Sequence, residues 1–448
     1  MRTASLMVVL LASAALGQGP AAAQEPPRAQ EEQEEKSPLE PRPIVIQHLR
    51  PVDQRGINVF ETSKEPGAPF TGFRLDFNAA FTQQFQDLTH RNAALPNVVG
   101  GVDRNQLMDI GAGFNNATAN LYLNAQLARG IRVALTTYLS SRHHPEAWVK
   151  DGYLQLDASP IDIEPLHRLM RYVTVKVGHF EINYGDAHFR RSDNGNAIYN
   201  PFVGNYLLDA FTTEIGAEVY VRASGFLAMG GVTGGEIRGT VLSPDRRAPA
   251  YLGKLGIDRQ VTPDVRVRVT GSLYTTRRSV NNTLYRGDRA GSRYYFVMEN
   301  SQATEAAQAW SGLIDPGFRS AVTAVQVNPF VKYRGLEIFG VLERAEGRSA
   351  TETADRRWTQ YAVDAVYRLL PRDRLYVGAR YNRAEGRLAG IPGDVGAERW
   401  QLAGGWFITP GILAKVEYVR QSYFDFPATD IRSGGRFSGL MLEGVVAF

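Results

Sequence analysis

Residues 436–448 read RFSGLMLEGVVAF, and the reading of this stretch decides the fold. Leu440, Leu442, Gly444, Val446 and Phe448 fall on one face of a strand of period two, while Met441, Glu443, Val445 and Ala447 fall on the other. Taken as a C-terminal strand, the stretch would present a sticky apolar edge if it stayed unpaired. Pairing the last strand with the first abolishes that edge. The expectation is an all-β protein: a closed, antiparallel, transmembrane β-barrel whose outer face meets lipid. Phe448 would be the residue by which the barrel-assembly machinery recognises the chain.

Working back from there, amphipathic segments of about ten residues recur from Gly72 onward, the length of a tilted membrane strand. Phe73, Leu75, Phe77, Ala79 and Phe81 alternate with Arg74, Asp76 and Asn78. Val173, Val175 and Val177 oppose Thr174, Lys176 and Gly178, and Trp400, Leu402 and Trp406 oppose Arg399 and Gln401. The links between segments go long, short, long, short. Short ones sit at 128–130, 222–225, 258–264, 333–335, 370–373 and 409–411, with a longer one on the same side near 159–171. Outer-membrane barrels have this asymmetry of short periplasmic turns and long external loops. Counting predicts 16 strands; Tyr294–Glu299 would be an extra one, but promoting it needs a partner and gives 18. Trp148, Trp358, Trp400, Tyr138, Tyr274 and Tyr381 all lie beside long loops, as an outer aromatic girdle requires.

The N-terminus assigns the compartment. Arg2 precedes an apolar run from Ala4 to Leu16 and a small-residue run, Ala21-Ala22-Ala23, which predicts a secretory signal peptide over 1–23. Residues 24–71 read as a polar, proline-broken periplasmic tether and lead-in, and 72–448 as the barrel. The chain has no cysteine, so no disulfide or thiolate metal site. Without residues 1–43 it holds 46 basic and 40 acidic residues, a net of +6, far from a nucleic-acid footprint.

Charges recur on the expected inner face, among them Arg74, Arg132, Lys176, Arg266, Arg268, Lys332 and Arg380 against Asp76, Glu218, Glu337, Asp364 and Glu443. Unpaired charges cost several kcal/mol each in a dry interior. The expectation is a water-filled lumen, hence a channel for small hydrophilic solutes with a slight preference for anions. The loop Ile182–Phe211 is 30 residues long and rich in aromatics. Loops of that length are usually functional. Folded into the barrel it would narrow it, placing Arg190 and Arg191, with Asp186 and Asp193, at a selectivity filter.

The runs VKDGYLQLD (149–157), VTVKVGHFEINYG (173–185) and TTEIGAEVYV (212–221) resemble the phosphate-selective porins O and P over about 75 residues. That resemblance implies a 16-stranded channel of the bacterial outer membrane, usually a homotrimer, with phosphate selectivity resting on an arginine and lysine ladder. The mixed inner face here departs from such a ladder.

Other functions find little support. There is no GxSxG, HExxH, P-loop or calcium loop, so neither an enzyme nor a cofactor is expected. Only about 30 residues separate the tether from the first strand, too few for the plug domain of an energised receptor. A purely structural or adhesive barrel is the alternative.

Overall fold

In lipid every backbone N–H and C=O needs a protein partner, and a β-structure meets that demand only by closing on itself. Sixteen long strands do so here: β1 (Arg74–Arg91), β2 (Thr118–Ala128), β3 (Ile131–Ser140), β4 (Trp148–Leu156), β5 (Val173–Glu181), β6 (Thr213–Ala223), β7 (Phe226–Thr233), β8 (Ala250–Thr262), β9 (Val265–Thr276), β10 (Ala321–Tyr333), β11 (Leu336–Arg348), β12 (Arg356–Leu369), β13 (Leu375–Arg387), β14 (Asp394–Thr409), β15 (Ile412–Phe424) and β16 (Arg436–Ala447). The computed structural model describes residues 46–65, 68–143, 146–234, 241, 243–287, 293–305 and 312–448. The signal peptide expected at 1–23, and the tether up to residue 45, lie outside them.

Each strand pairs antiparallel with its neighbours in sequence, and β1 closes on β16 from Ala80↔Ala447 to Arg91↔Arg436. Ala79 and Phe448 exchange backbone hydrogen bonds of 2.9 and 3.0 Å at the end of that seam. Outside it the Phe81 and Phe448 rings stack, centroids 6.3 Å apart. Short links alternate with long ones as expected. The β2–β3 turn needs Gly130 at φ +65°, a left-handed conformation that glycine adopts without strain. The longer link on the short side holds the helix α1 (Glu164–Met170). Tyr294–Glu299 forms bends and turns, so the barrel count is sixteen and not eighteen.

Alternation sorts the two faces. Phe77 and Leu402 are each 57% exposed, while their neighbours Asp76 and Gln401 are buried. Leu440, Leu442, Val446 and Phe448 likewise face out, and Met441, Glu443 and Val445 face in. The band is a lipid-facing belt. Among the described residues no helix is long and apolar enough to cross a membrane.

Two expectations need correction. Trp400 points outward and Tyr381 lies beside it, ring centroids 4.5 Å apart, but Tyr138, Tyr274 and Trp358 are buried and face the lumen. Lumenal acceptors claim them: the Tyr274 hydroxyl donates to Glu214 at 2.7 Å, the Trp358 indole to the Arg387 carbonyl at 2.8 Å, and Tyr138 bonds Asp193. Nor is the lumen simply filled with water. The lead-in, the loop after β5 and the loop after β9 all pack inside it. Leu207, Leu208, Tyr285, Tyr294 and Phe318 form an apolar cluster with Val419, Phe437 and Met441 of the wall. The interior charges tolerate this dryness because most are matched by partners of opposite sign.

Val363 lies near the middle of β12, 52% exposed on the outer face. Val363→Arg should cost about 2–4 kcal/mol, the penalty for a cation at the bilayer midplane. Reversible urea unfolding from lipid vesicles measures it.

Candidate functional site

The loop after β5 turns into the barrel at Gly185. Its φ is +71°, and a Cβ there would lie 1.9 Å from the Gln326 side-chain oxygen. Glycine adopts this left-handed φ without strain, and any side chain would also have to push the Gln326 amide aside. The next residue anchors the loop. Asp186 accepts from Arg268 Nε and Nη2 at 2.8 and 2.9 Å, from Thr270 at 2.8 Å, and pairs with Lys254 at 2.7 Å. Glu61 of the lead-in reaches the same two cations, Lys254 at 3.0 Å and Arg268 at 2.7 Å. Lead-in, loop and wall thus meet at one four-charge knot.

Burial alone would push the Asp186 and Glu61 carboxyls up. The Lys254 ammonium and the Arg268 guanidinium outweigh it and hold both below the usual carboxylate range.

The other expected filter residues lie in the same assembly. Arg191 grips Asp209 with two bonds of 2.8 and 2.6 Å, closing the loop on itself. Arg190 is buried among Phe330 and Phe339, bonds Asn58 of the lead-in and lies 3.5 Å from Glu337. Glu337 also takes Arg368 at 2.6 Å and lies 3.8 Å from Lys332. Arg380 forks onto Asp364 at 2.6 and 2.8 Å and donates to the Gly204 carbonyl at 3.0 Å. Arg266 binds Asp258 and the Asn58 carbonyl. Asp193 lies 3.0 Å from Lys150.

Arg132 and Lys176 stand apart from this pairing. Both border a cavity of about 260 Å³ between β2–β6, the lead-in and the lumenal loop. Its wall carries Arg50, Arg132, Lys150, Lys176, Arg191 and Arg222 against Glu61, Asp151, Glu181 and Asp193. Sequence reasoning missed Asn58, Glu61 and Lys150. The first two belong to a segment read as a tether. The third sits at a register shift between Thr136 and Thr137, where β4 carries one extra residue, so Lys150 and Asp151 are both nearly buried. A bulge leaves no mark in a period of two.

With this geometry established, comparison with known proteins bears on the fold. No protein-family model matches the sequence, and no curated protein sequence does. A loop L8 deletion mutant of OmpT, an outer membrane protein of Vibrio cholerae, superposes with a TM-score of 0.50 at 11% identity, covering 84% of this chain and 100% of that one. The fold is that of outer-membrane barrels. An anion-selective porin from Comamonas acidovorans (TM-score 0.49, 10% identity, 84% and 100% covered) and the outer membrane channel DcaP of Acinetobacter baumannii (0.49, 10%, 84% and 98%) are similar at the same level. At such identities the likeness is one of architecture, and it does not single out the phosphate-selective family.

The knot predicts a pH response. Carboxylates held low contribute stability that is fully present above the unfolded-state pKa of about 4, and it is lost as pH falls through their folded values. Hydrogen exchange of residues 183–212 should therefore stay slow down to about pH 4 and accelerate only below it. Asp186→Ala leaves Lys254 and Arg268 short of an anion and should cost about 3–5 kcal/mol in denaturant unfolding.

Proposed function

We propose that the protein is a channel of the bacterial outer membrane that admits small hydrophilic solutes, with a mild preference for anions. The observation that carries this reading is the cavity wall: six cationic side chains against four carboxylates, inside a closed barrel with a lipid-facing belt. Residues 182–212 and the lead-in narrow the passage, and the Asp186 knot holds them in place. In this reading Arg190 and Arg380 position the constriction rather than meet solute, Arg191 holds Asp209 at the cavity's edge, and Arg132 and Lys176 face the path. The chain acts as a porin rather than an enzyme, works as a homotrimer in outer-membrane lipid, and is assembled through Phe448.

A second reading has its own support. The apolar packing of Leu207, Tyr285, Tyr294 and Phe318 favours a non-conducting structural barrel. Liposome swelling separates the two, since only a channel admits sugars. Swelling in arabinose is the expected result, and intact protein that never swells liposomes would leave the structural barrel. Deleting residues 186–205 should raise single-channel conductance several-fold in planar bilayers. Reversal potentials in a potassium chloride gradient should show chloride modestly favoured; a clear cation preference would refute the anion reading.

A further inference from the structure

Among the described residues several buried lumenal charges lack an ionic partner, Arg399 included, and three such cations gather at one cavity. Arg50, Arg132 and Lys176 border the same cavity, and among the described residues none has a carboxylate oxygen within 4.0 Å. Their partners are neutral. Arg132 donates to Asn124 at 3.1 Å and Gln155 at 2.9 Å, and its Nε has no acceptor although the residue is only 5% exposed. Lys176 donates to the Glu181 carbonyl at 3.3 Å, and Arg50 to the Gly56 and Phe189 carbonyls, each at 3.0 Å. Most carboxylates nearby are already occupied, although Asp151, 3.5 Å from Lys150, keeps one oxygen without a hydrogen-bond partner. Glu181 and Asp193 pair with Lys150 at 2.5 and 3.0 Å, and Glu61 with Lys254 and Arg268.

Register fixes the spacing. Arg132 stands opposite Gln155, and Gln155 opposite Lys176, in one row across β3, β4 and β5. Two inter-strand steps put the cations' backbones about 10 Å apart, with an amide between them. Arg132 is buried and Arg50 and Lys176 are half-buried, and holding a buried cation without a counter-charge costs free energy that an anion relieves.

Beside these cations the wall carries aromatic rings. Lys176 Nζ lies 4.3 Å from the Tyr153 ring and the Arg132 guanidinium 5.7 Å from it, while Arg50 stacks on Tyr199 at 3.7 Å. Tyr122 and Phe189 also line the cavity. The volume of about 260 Å³ holds many waters, each about 30 Å³ in the liquid, and so far exceeds what one inorganic anion needs. An anion carrying a flat apolar body uses both halves of such a wall.

We propose that this cavity is a binding site for a small aromatic carboxylate, its carboxylate held between Arg132 and Lys176 and its ring against the tyrosine wall. The proposal deepens the channel reading and rests on it for the direction of solute flow, whereas binding itself can be measured without conductance.

Isothermal titration of the full chain, folded in detergent, with benzoate, cyclohexanecarboxylate and inorganic phosphate tests it. Saturable benzoate binding is expected, weaker by about tenfold or more in the double variant Arg132→Gln/Lys176→Gln, a loss of at least one ion contact. Lys176→Arg, which keeps the charge, should retain binding. If the double variant does not fold, Tyr153→Leu serves: it should erase the preference for benzoate over cyclohexanecarboxylate. The proposal is overturned if wild-type protein does not bind benzoate, if the variants bind it unchanged, or if phosphate or cyclohexanecarboxylate binds as tightly. Swelling assays on the same preparation keep the two ideas apart. Binding without swelling sinks the channel and leaves the site, and swelling without binding does the reverse.

Discussion

The seam between β1 and β16 is the constraint on which the structure depends. Twelve residue pairs, from Ala80↔Ala447 to Arg91↔Arg436, turn a meander into a cylinder. Without them two strand edges would offer bare amides to hydrocarbon, which has nothing to give back. Closure dictates an inside and an outside. Leu440 and Leu442 can meet lipid only because Met441 and Glu443 have a lumen to enter. Every later feature, from the belt to the charge knot, uses that division.

Much of the barrel was legible because its code is local. Alternation in a stretch such as 436–448 reports which face meets lipid, and turn residues such as Gly130 mark where a strand reverses. The contents of the lumen were less legible. Glu61 belongs to a polar lead-in that looks like a spacer, and nothing in its neighbourhood announces Lys254 and Arg268 across the barrel. Charges on the inner face imply water only if they lack partners, and partners distant in sequence do not show in a linear pattern. One signal was present all the same. Met441, Val445, Phe407, Leu413, Phe330 and Phe339 are apolar on the inward face. A strand greasy on both sides has lipid on one and packed protein on the other.

The interior then divides by how charge is neutralised. At the knot, Asp186 and Glu61 share Lys254 and Arg268, and Arg380 and Arg368 each hold a carboxylate of the wall. Such fixed pairs secure the loop and the lead-in against the strands and leave little field for a passing solute. Around Arg132 and Lys176 the cations answer only to amides, carbonyls and rings. The barrel thus combines rigid scaffolding with a wall that still has charge to offer.

The lead-in also limits the order of construction. Phe60 packs against Phe330 and Phe339, and Lys64 donates to the Val173 carbonyl at 2.7 Å, so this segment lies within the ring of strands. The two strands that complete the ring stand at opposite ends of the barrel sequence. A cylinder shut first would have to be threaded afterwards through a mouth lined by its own walls. The chain escapes that problem if the cargo is loaded while the ring is still open, with the final zippering of first strand to last sealing it in.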